Sequence, residues 1–315
     1  MRLIDDRIDG FRSLLKALYP FTGRALTVGI TGAPGAGKSS LVDGLIGVYR
    51  KQGKTVGVVA VDPSSPKTGG ALLGDRIRMQ RHFLDPDVFI RSLATRGQLG
   101  GLSASASAVL QVLDAAGFDV VLVETVGVGQ DELEIARLAA TTVVVVAPGM
   151  GDDIQAIKAG ILEVADVFVV NKADRDGADA TVRDLEQMMA LGRPVSAPRS
   201  HGHSATPTQP GSQPSTWGPP VIKAIALTGE GIADIAAACD RHRQHVGAFG
   251  ASGLHNERLR RQLRELIVEL LVIEVDGKLA SALDEAVNRI AAHTDDPYSS
   301  AERLAAGLLH PERPS

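Results

Sequence analysis

The sequence predicts an α/β fold: a doubly wound, mostly parallel sheet with an N-terminal helix and a C-terminal helical arm. Three observations carry the prediction. Short β-branched apolar runs alternate with helix-length stretches, as in a parallel sheet covered on both faces. A glycine-rich loop, Gly32-Ala33-Pro34-Gly35-Ala36-Gly37-Lys38-Ser39, stands between the first such run and the first helix that follows it. After Gly253 the alternation stops and only helical spacing remains.

In chain order, residues 1–18 set Ile4, Ile8, Phe11, Leu15 and Leu18 among Asp5, Asp6 and Asp9, the pattern of an amphipathic helix rather than a signal peptide. Strands are expected at Ala25–Thr31, Thr55–Val61, Val88–Ser92, Phe118–Glu124, Thr141–Ala147, Val167–Asn171 and Val221–Ala226. Helices are expected near Lys38–Gln52, Leu72–Phe83, Leu102–Ala115, Asp131–Leu138, Asp153–Val164 and Ala178–Leu191. Residues 193–219 are rich in Pro, Ser, Thr, His and Gly and should form a mobile polar loop, whose His201 and His203 lack a third clustered metal ligand. Beyond it, Leu259, Leu263, Leu266, Ile267, Leu270 and Leu271 recur at helical spacing, and a second helical stretch follows around Leu279–Ala292. That stripe must be buried against the parent domain or against a partner subunit. The expected division is 1–24 as a helical extension, 25–245 as the phosphate-loop domain and 246–315 as the arm.

A chain of 315 residues that is 44% apolar supports a buried core and excludes a disordered protein. Its net charge of −4, without a long Lys/Arg run, disfavours nucleic-acid binding. The single cysteine, Cys239, cannot form an internal disulfide, which fits a reducing compartment, and its alanine neighbours suggest a buried, inert thiol. No apolar run approaches membrane-spanning length, so a soluble cytoplasmic protein is expected.

The chemistry is concentrated in a few short segments. In the glycine-rich loop, consecutive N–H groups can turn inward around a phosphate at a helix N-terminus. Lys38 would then bridge the β- and γ-phosphates, and the Ser39 hydroxyl would hold Mg²⁺. Asn171-Lys172-Ala173-Asp174 follows the strand at Val167–Asn171. The Asp174 carboxylate can accept from both the ring N–H and the exocyclic amine of guanine, donors that adenine does not present together. The backbone N–H of Ala226, beside Leu227 at the end of the last expected strand, would read guanine O6. GTP or GDP is therefore the expected nucleotide.

Three carboxylates are candidates for the metal side. Glu124 ends a strand and opens Glu124-Thr125-Val126-Gly127-Val128-Gly129-Gln130, a form suited to sensing a γ-phosphate through the Gly127 N–H. Asp62 ends another strand, and Asp75 lies in Gly74-Asp75-Arg76-Ile77-Arg78-Met79. Asp75 also reads as an ordinary carboxylate on a helix surface. Val128 stands where many small GTPases place a water-orienting glutamine, so slow intrinsic hydrolysis is expected. Gly149-Met150-Gly151-Asp152-Asp153-Ile154-Gln155, with Lys158 beyond it, is a candidate moving element; Lys158 reads equally as a solvated helix residue.

Taken together, these blocks, with Asp62-Pro63-Ser64-Ser65-Pro66 and Thr68-Gly69-Gly70, resemble the methylmalonyl-CoA-mutase-associated GTPases of the MeaB/ArgK type, a SIMIBI-class P-loop family. The resemblance spans about Leu26 to Ile232. It implies a homodimer joined through the helical arm, and a chaperone of an adenosylcobalamin-dependent mutase in which GTP gates cofactor loading and protects the enzyme. It places phosphate contacts on Gly35–Ser40, Mg²⁺ ligands on Ser39, Asp62, Asp75 and Glu124, base contacts on Asn171, Lys172, Asp174 and Ala226, and a third switch on Gly149–Lys158, with Lys158 responding to the mutase. Ile225 stands where the family has a serine. The nucleotide-binding set so assigned is Gly32, Ala33, Pro34, Gly35, Ala36, Gly37, Lys38, Ser39, Ser40, Asn171, Lys172, Asp174, Ala226 and Leu227, with Lys38, Gly127 and Lys158 as catalytic candidates. Older names in the family describe a transport-system kinase, but no protein-kinase signature is present. A nickel-type metal-insertion chaperone would need a Cys or His cluster, whereas the one cysteine has no pair and His242, His245 and His255 are scattered. A small-molecule kinase would need an acceptor pocket and a catalytic base, neither of which the sequence identifies.

Overall fold

The computed structural model describes residues 10–63, 79–95, 101–125, 138–149, 164–192, 217–249 and 254–309. Two compact units divide between Ala251 and Ser252.

The first unit is built on seven parallel strands: β1 Leu26–Gly32, β2 Val56–Pro63, β3 Val88–Thr95, β4 Val120–Thr125, β5 Thr141–Val146, β6 Val167–Asn171 and β7 Val221–Ala224. Their spatial order is β3-β2-β4-β1-β5-β6-β7. The order reverses around β1, which pairs with both β4 and β5, and ligands bind outside the strand carboxyl ends at such a reversal. Five helices belong to this unit among the described residues: α1 Phe11–Leu18, α2 Lys38–Lys51, α3 Gly101–Ala115, α4 Ala178–Gly192 and α5 Ile232–Phe249.

Successive strand residues point to opposite faces, and here both faces are apolar. Val120, Leu122, Val143, Val145, Val167 and Val169 face α2 and α5, packing with Leu41, Leu45, Tyr49, Ile235 and Cys239. The alternate residues of β2 and β4, Val59, Val61, Val121 and Val123, pack with Val109 and Leu113 of α3. Val144, Val146, Phe168 and Val170 pack with Leu185 of α4. Burying each such side chain contributes roughly 1.5–3 kcal/mol, which makes this three-part core the rigid base of the site. Cys239 is fully buried, and desolvation pushes its thiol up to about 12, in keeping with the inert role expected for it.

Several local expectations change. Gly10 has φ 94°, outside helical geometry, so the described N-terminal helix begins at Phe11 rather than continuing through from Met1. The helix expected up to Phe83 has, in its described part, a tight 3₁₀ turn at Gln80–His82, where His82 N–H donates to Met79 O at 3.1 Å. Pro86 restrains the residue before it from helical geometry. β7 ends at Ala224, two residues before the expected end, and the chain turns at 225–229 through Thr228 and Gly229 N–H bonds to Ile225 O. Trp217 to Pro219, expected to be mobile, begin with an anchored residue: Trp217 Nε1 donates to Asp166 O at 2.8 Å and its ring lies 4.9 Å from that of His242. The rest of that loop lies outside the described residues, as do most of the helices expected at Asp131–Leu138 and Asp153–Val164.

The second unit holds α6 Leu254–Lys278, α7 Ala280–Ala291 and α8 Pro297–Leu309. The third helix was not anticipated. Asp296 caps it by accepting from Tyr298 and Ser299 N–H at 2.9 and 3.0 Å, and Pro297 occupies its first turn. Along α6, Leu263, Leu266, Ile267, Val268, Leu270, Leu271, Val272 and Ile273 are all exposed. No helix among the described residues is long and apolar enough to cross a membrane.

Leu45 of α2 is fully buried in the cluster between this helix and the sheet. Leu45→Ala should destabilise the first unit by about 2–5 kcal/mol, read as an earlier urea midpoint by circular dichroism. An unchanged midpoint would show that this contact is not a keystone of the core.

Candidate functional site

The loop between β1 and α2 is shaped by backbone geometry before any side chain acts. Gly32 has φ 136°, and a Cβ there would lie 2.0 Å from Val145 O of the neighbouring strand. Gly37 has φ 94°, and its Cβ would lie 2.3 Å from Asn171 Nδ2. Only glycine fits either position, because both the φ and the close approach exclude a side chain. Between them, Ala33, Pro34, Gly35 and Ala36 complete the turn, and Ala36 N–H donates back to Ala33 O at 3.2 Å.

Lys38 and Ser39 open α2, and both are buried. Lys38 Nζ donates to Gly32 O at 2.7 Å and Ala33 O at 3.0 Å, which places a compact positive charge against the loop's own carbonyls. Ser39 Oγ donates to Glu124 Oε1 at 2.6 Å. Glu124 is itself buried at the carboxyl end of β4, in register with Ile30 of β1. A hydroxyl and a carboxylate so placed are hard oxygen donors that fit Mg²⁺, and the Ser39 and Glu124 oxygens would hold it. Asp62 lies near the carboxyl end of β2, in register with Ala94 of β3, so its backbone is on the same edge of the sheet. Asp75, Gly127 and Lys158 lie outside the described residues.

On the base side, β6 ends at Asn171, which is 2% exposed. Both ends of its amide are engaged: Nδ2 donates to Ala36 O at 2.8 Å, and Oδ1 accepts from Ala226 N–H at 3.0 Å. The Ala226 N–H, expected to read guanine O6, donates to Asn171 in this structure. The reason is that the turn after β7 swings Ala226 onto the buried amide. Asn171 thereby joins the phosphate loop to the loop at 225–229. Lys172 adopts φ 58°, an uncommon geometry for a side chain that costs roughly 1–3 kcal/mol. It is held there by Nζ donating to Gly35 O at 2.6 Å and by Ala173 N–H donating to Ala224 O at 3.0 Å.

The two clamps border an open pocket lined by Gly37, Ser40, Asn171, Lys172, Asp174, Arg175, Ile225, Ala226 and Leu227. Asp174 is exposed at this pocket. Leu227 is 89% exposed, an apolar side chain available to cover a planar ligand. Sequence reasoning passed over Arg175 and Ile225 as lining residues; their adjacency to Asp174 and Ala226 was the available signal.

A phosphate loop at the reversal of a parallel sheet, clamped to an Asn-Lys-x-Asp segment, defines a P-loop GTPase. The chain belongs to the family described as methylmalonyl Co-A mutase-associated GTPase MeaB, which matches residues 5–284. It is 45% identical over 312 residues to a Pyrococcus abyssi protein with an inferred GTPase name, covering 98% of this chain and 90% of that one. It is 36% identical over 215 residues to the mouse mitochondrial methylmalonic aciduria type A homolog, covering 68% of this chain and 48% of the mouse protein. Among solved structures, a LAO/AO transport system kinase superposes with a TM-score of 0.64 at 26% identity, covering 95% of this chain and 86% of that one.

Asn171→Ala leaves the buried Ala36 O and the half-buried Ala226 N–H without this partner, and stranding the buried carbonyl costs about 1–3 kcal/mol. Guanine-nucleotide affinity should fall at least about tenfold, measured by titration with a fluorescent GDP. Asn171→Asp should bind no better than the alanine variant, because it sets a carboxylate oxygen against Ala36 O. Wild-type affinity in Asn171→Asp would show that the bond to the phosphate loop is dispensable.

Proposed function

We propose that this chain is a Mg²⁺-dependent GTPase that chaperones an adenosylcobalamin-dependent acyl-CoA mutase, methylmalonyl-CoA mutase or a related one. The observation that carries the nucleotide reading is the Asn171 amide, which makes one pocket out of the phosphate loop and the Asp174 segment. Lys38 would neutralise charge on the transferred phosphoryl group, and Gly127 would act as the γ-phosphate sensor. Ser39 and Glu124, together with Asp62 and Asp75, would hold Mg²⁺, which would supply positive charge against the phosphates of the nucleotide. Asp174 selects guanine. Support for the mutase as client comes from the family's description and from the mouse relative's name.

The role divides along the chain as 1–24, 25–245 and 246–315. The exposed apolar run on α6 supports pairing of two copies through the arm, since an apolar patch of this extent marks an interaction surface. Val128 in place of a water-orienting glutamine supports a slow basal rate that the mutase raises, with Lys158 as the responder.

The test is GTP hydrolysis by the full chain with and without the mutase from the same organism. Hydrolysis should be slow, stop in EDTA and rise with the mutase. Asp174→Ala should lower the preference for GTP over ATP about 10²-fold or more, since a stranded carboxylate no longer penalises the wrong base. Lys158→Ala should keep the basal rate and lose the stimulation. Hydrolysis that the mutase neither binds nor changes would retain the GTPase and discard the client.

Pairing through the arm is tested separately. Leu263→Glu with Leu270→Glu should convert a dimer to a monomer by light scattering, and a wild-type monomer would exclude the pairing.

A further inference from the structure

Two helices carry different parts of the nucleotide pocket, and they meet at one crowded point. Gly37 and Ser40, at the start of α2, line the pocket; residues three or four apart share a helix face, so the next residue on that face is Gly44. The loop that supplies Ile225, Ala226 and Leu227 runs directly into α5, whose first residue is Ile232. A Cβ on Gly44 would lie 3.2 Å from Ile232 Cγ1 and 3.3 Å from both Cγ2 and Cδ1. Glycine therefore leaves a notch in α2, and Ile232, 1% exposed, fills it. Both γ branches face the notch, so no rotation about χ1 turns both away at once.

A glycine weakens a helix interior relative to alanine, so each one in α2 invites a reason. One turn beyond Gly44, a Cβ on Gly47 would meet nothing within 4 Å among the described residues outside its own helix. The missing side chain thus has a steric use at Gly44 and none at Gly47.

Ile232 is tied to the pocket wall by a short, cross-linked segment. Ile225 N–H donates to Glu230 O and Gly229 N–H to Ile225 O, each at 3.0 Å, which closes the loop on itself. At Gly231 a Cβ would collide with Lys223 O, so the end of the loop lies directly against β7. A displacement of Ile232 is therefore passed to Ala226, whose N–H is held by Asn171.

We infer that Gly44 and Ile232 are positioning residues for the guanine nucleotide, their contact setting how far the loop at 225–231 stands from the phosphate loop. Neither lines the pocket; both act through its wall. The inference rests on the GTPase reading above.

The experiment measures kcat and KM for GTP hydrolysis by the full chain, with the urea midpoint beside them. The wall serves the bound nucleotide both before and during phosphoryl transfer. Displacing it removes binding that ground and transition states share, which raises KM and spares kcat. Gly44→Ala should raise KM about tenfold with kcat within about twofold. Gly47→Ala adds the same methyl to the same helix and should change neither. Ile232→Leu conserves volume but has a single γ carbon, so alone it seats less firmly and should raise KM about threefold. Combined with Gly44→Ala, that single branch can turn out of the narrowed notch, and the double variant should stay below Gly44→Ala rather than reach the product of the singles. Because it conserves volume, Ile232→Leu reports even where Gly44→Ala fails to fold. A KM that Ile232→Leu leaves unmoved, a loss confined to kcat and the urea midpoint, or singles that multiply overturns the positioning role and leaves the GTPase intact. A wild-type protein that hydrolyses no GTP overturns both.

Discussion

The buried amide of Asn171 is the interaction on which the nucleotide site depends. It joins backbone groups that lie 135 residues before it and 55 residues after it. A planar group with one donating and one accepting end is suited to this, since it satisfies a carbonyl and an N–H at once without burying a charge. The phosphate loop has few side chains of its own to hold it in place. Its shape is imposed from outside, by Asn171 against Gly37 and Ala36 and by Lys172 against Gly35.

That bridge is rigid only because its base is rigid. β6 lies between β5 and β7, and Val167, Phe168, Val169 and Val170 alternate between two apolar clusters. Asn171 therefore leaves the sheet at a fixed point. β4 does the same for Glu124 on the other side of β1, which brings its carboxylate to Ser39. The Ser39–Glu124 pair and the Asn171 bridge thus hang from strands on either side of β1, and α2 begins between them. With Asp43 receiving Arg81 and His82, α2 also registers the chain that returns to β3.

The second unit follows a different physical logic. The first unit turns its aliphatic side chains inward on both faces of the sheet, whereas α6 exposes a run from Leu263 to Ile273. Apolar area on that scale is costly in water, which is the physical ground for proposing that two copies pair through this arm.

Much of the fold was legible because it rests on local patterns. The run Val167–Asn171 is bounded as expected, and Lys38 begins a helix because a glycine in left-handed geometry precedes it. The Asn-Lys-x-Asp segment was legible as the chain leaving the carboxyl end of a strand. Less legible were positions where a local pattern admits two outcomes: Gly10 interrupting an amphipathic stretch, Trp217 anchoring the end of a polar loop, and Asp296-Pro297 opening a third helix. Residue types and their spacing sufficed for how the backbone turns at the phosphate loop, because that depends on neighbours in the chain. Only the folded molecule decided that Ala226 N–H bonds to Asn171, that Lys172 reaches Gly35, and that Arg81 meets Asp43. Those bonds join residues far apart in the chain, and the packing of the sheet and helices selects among their many possible partners.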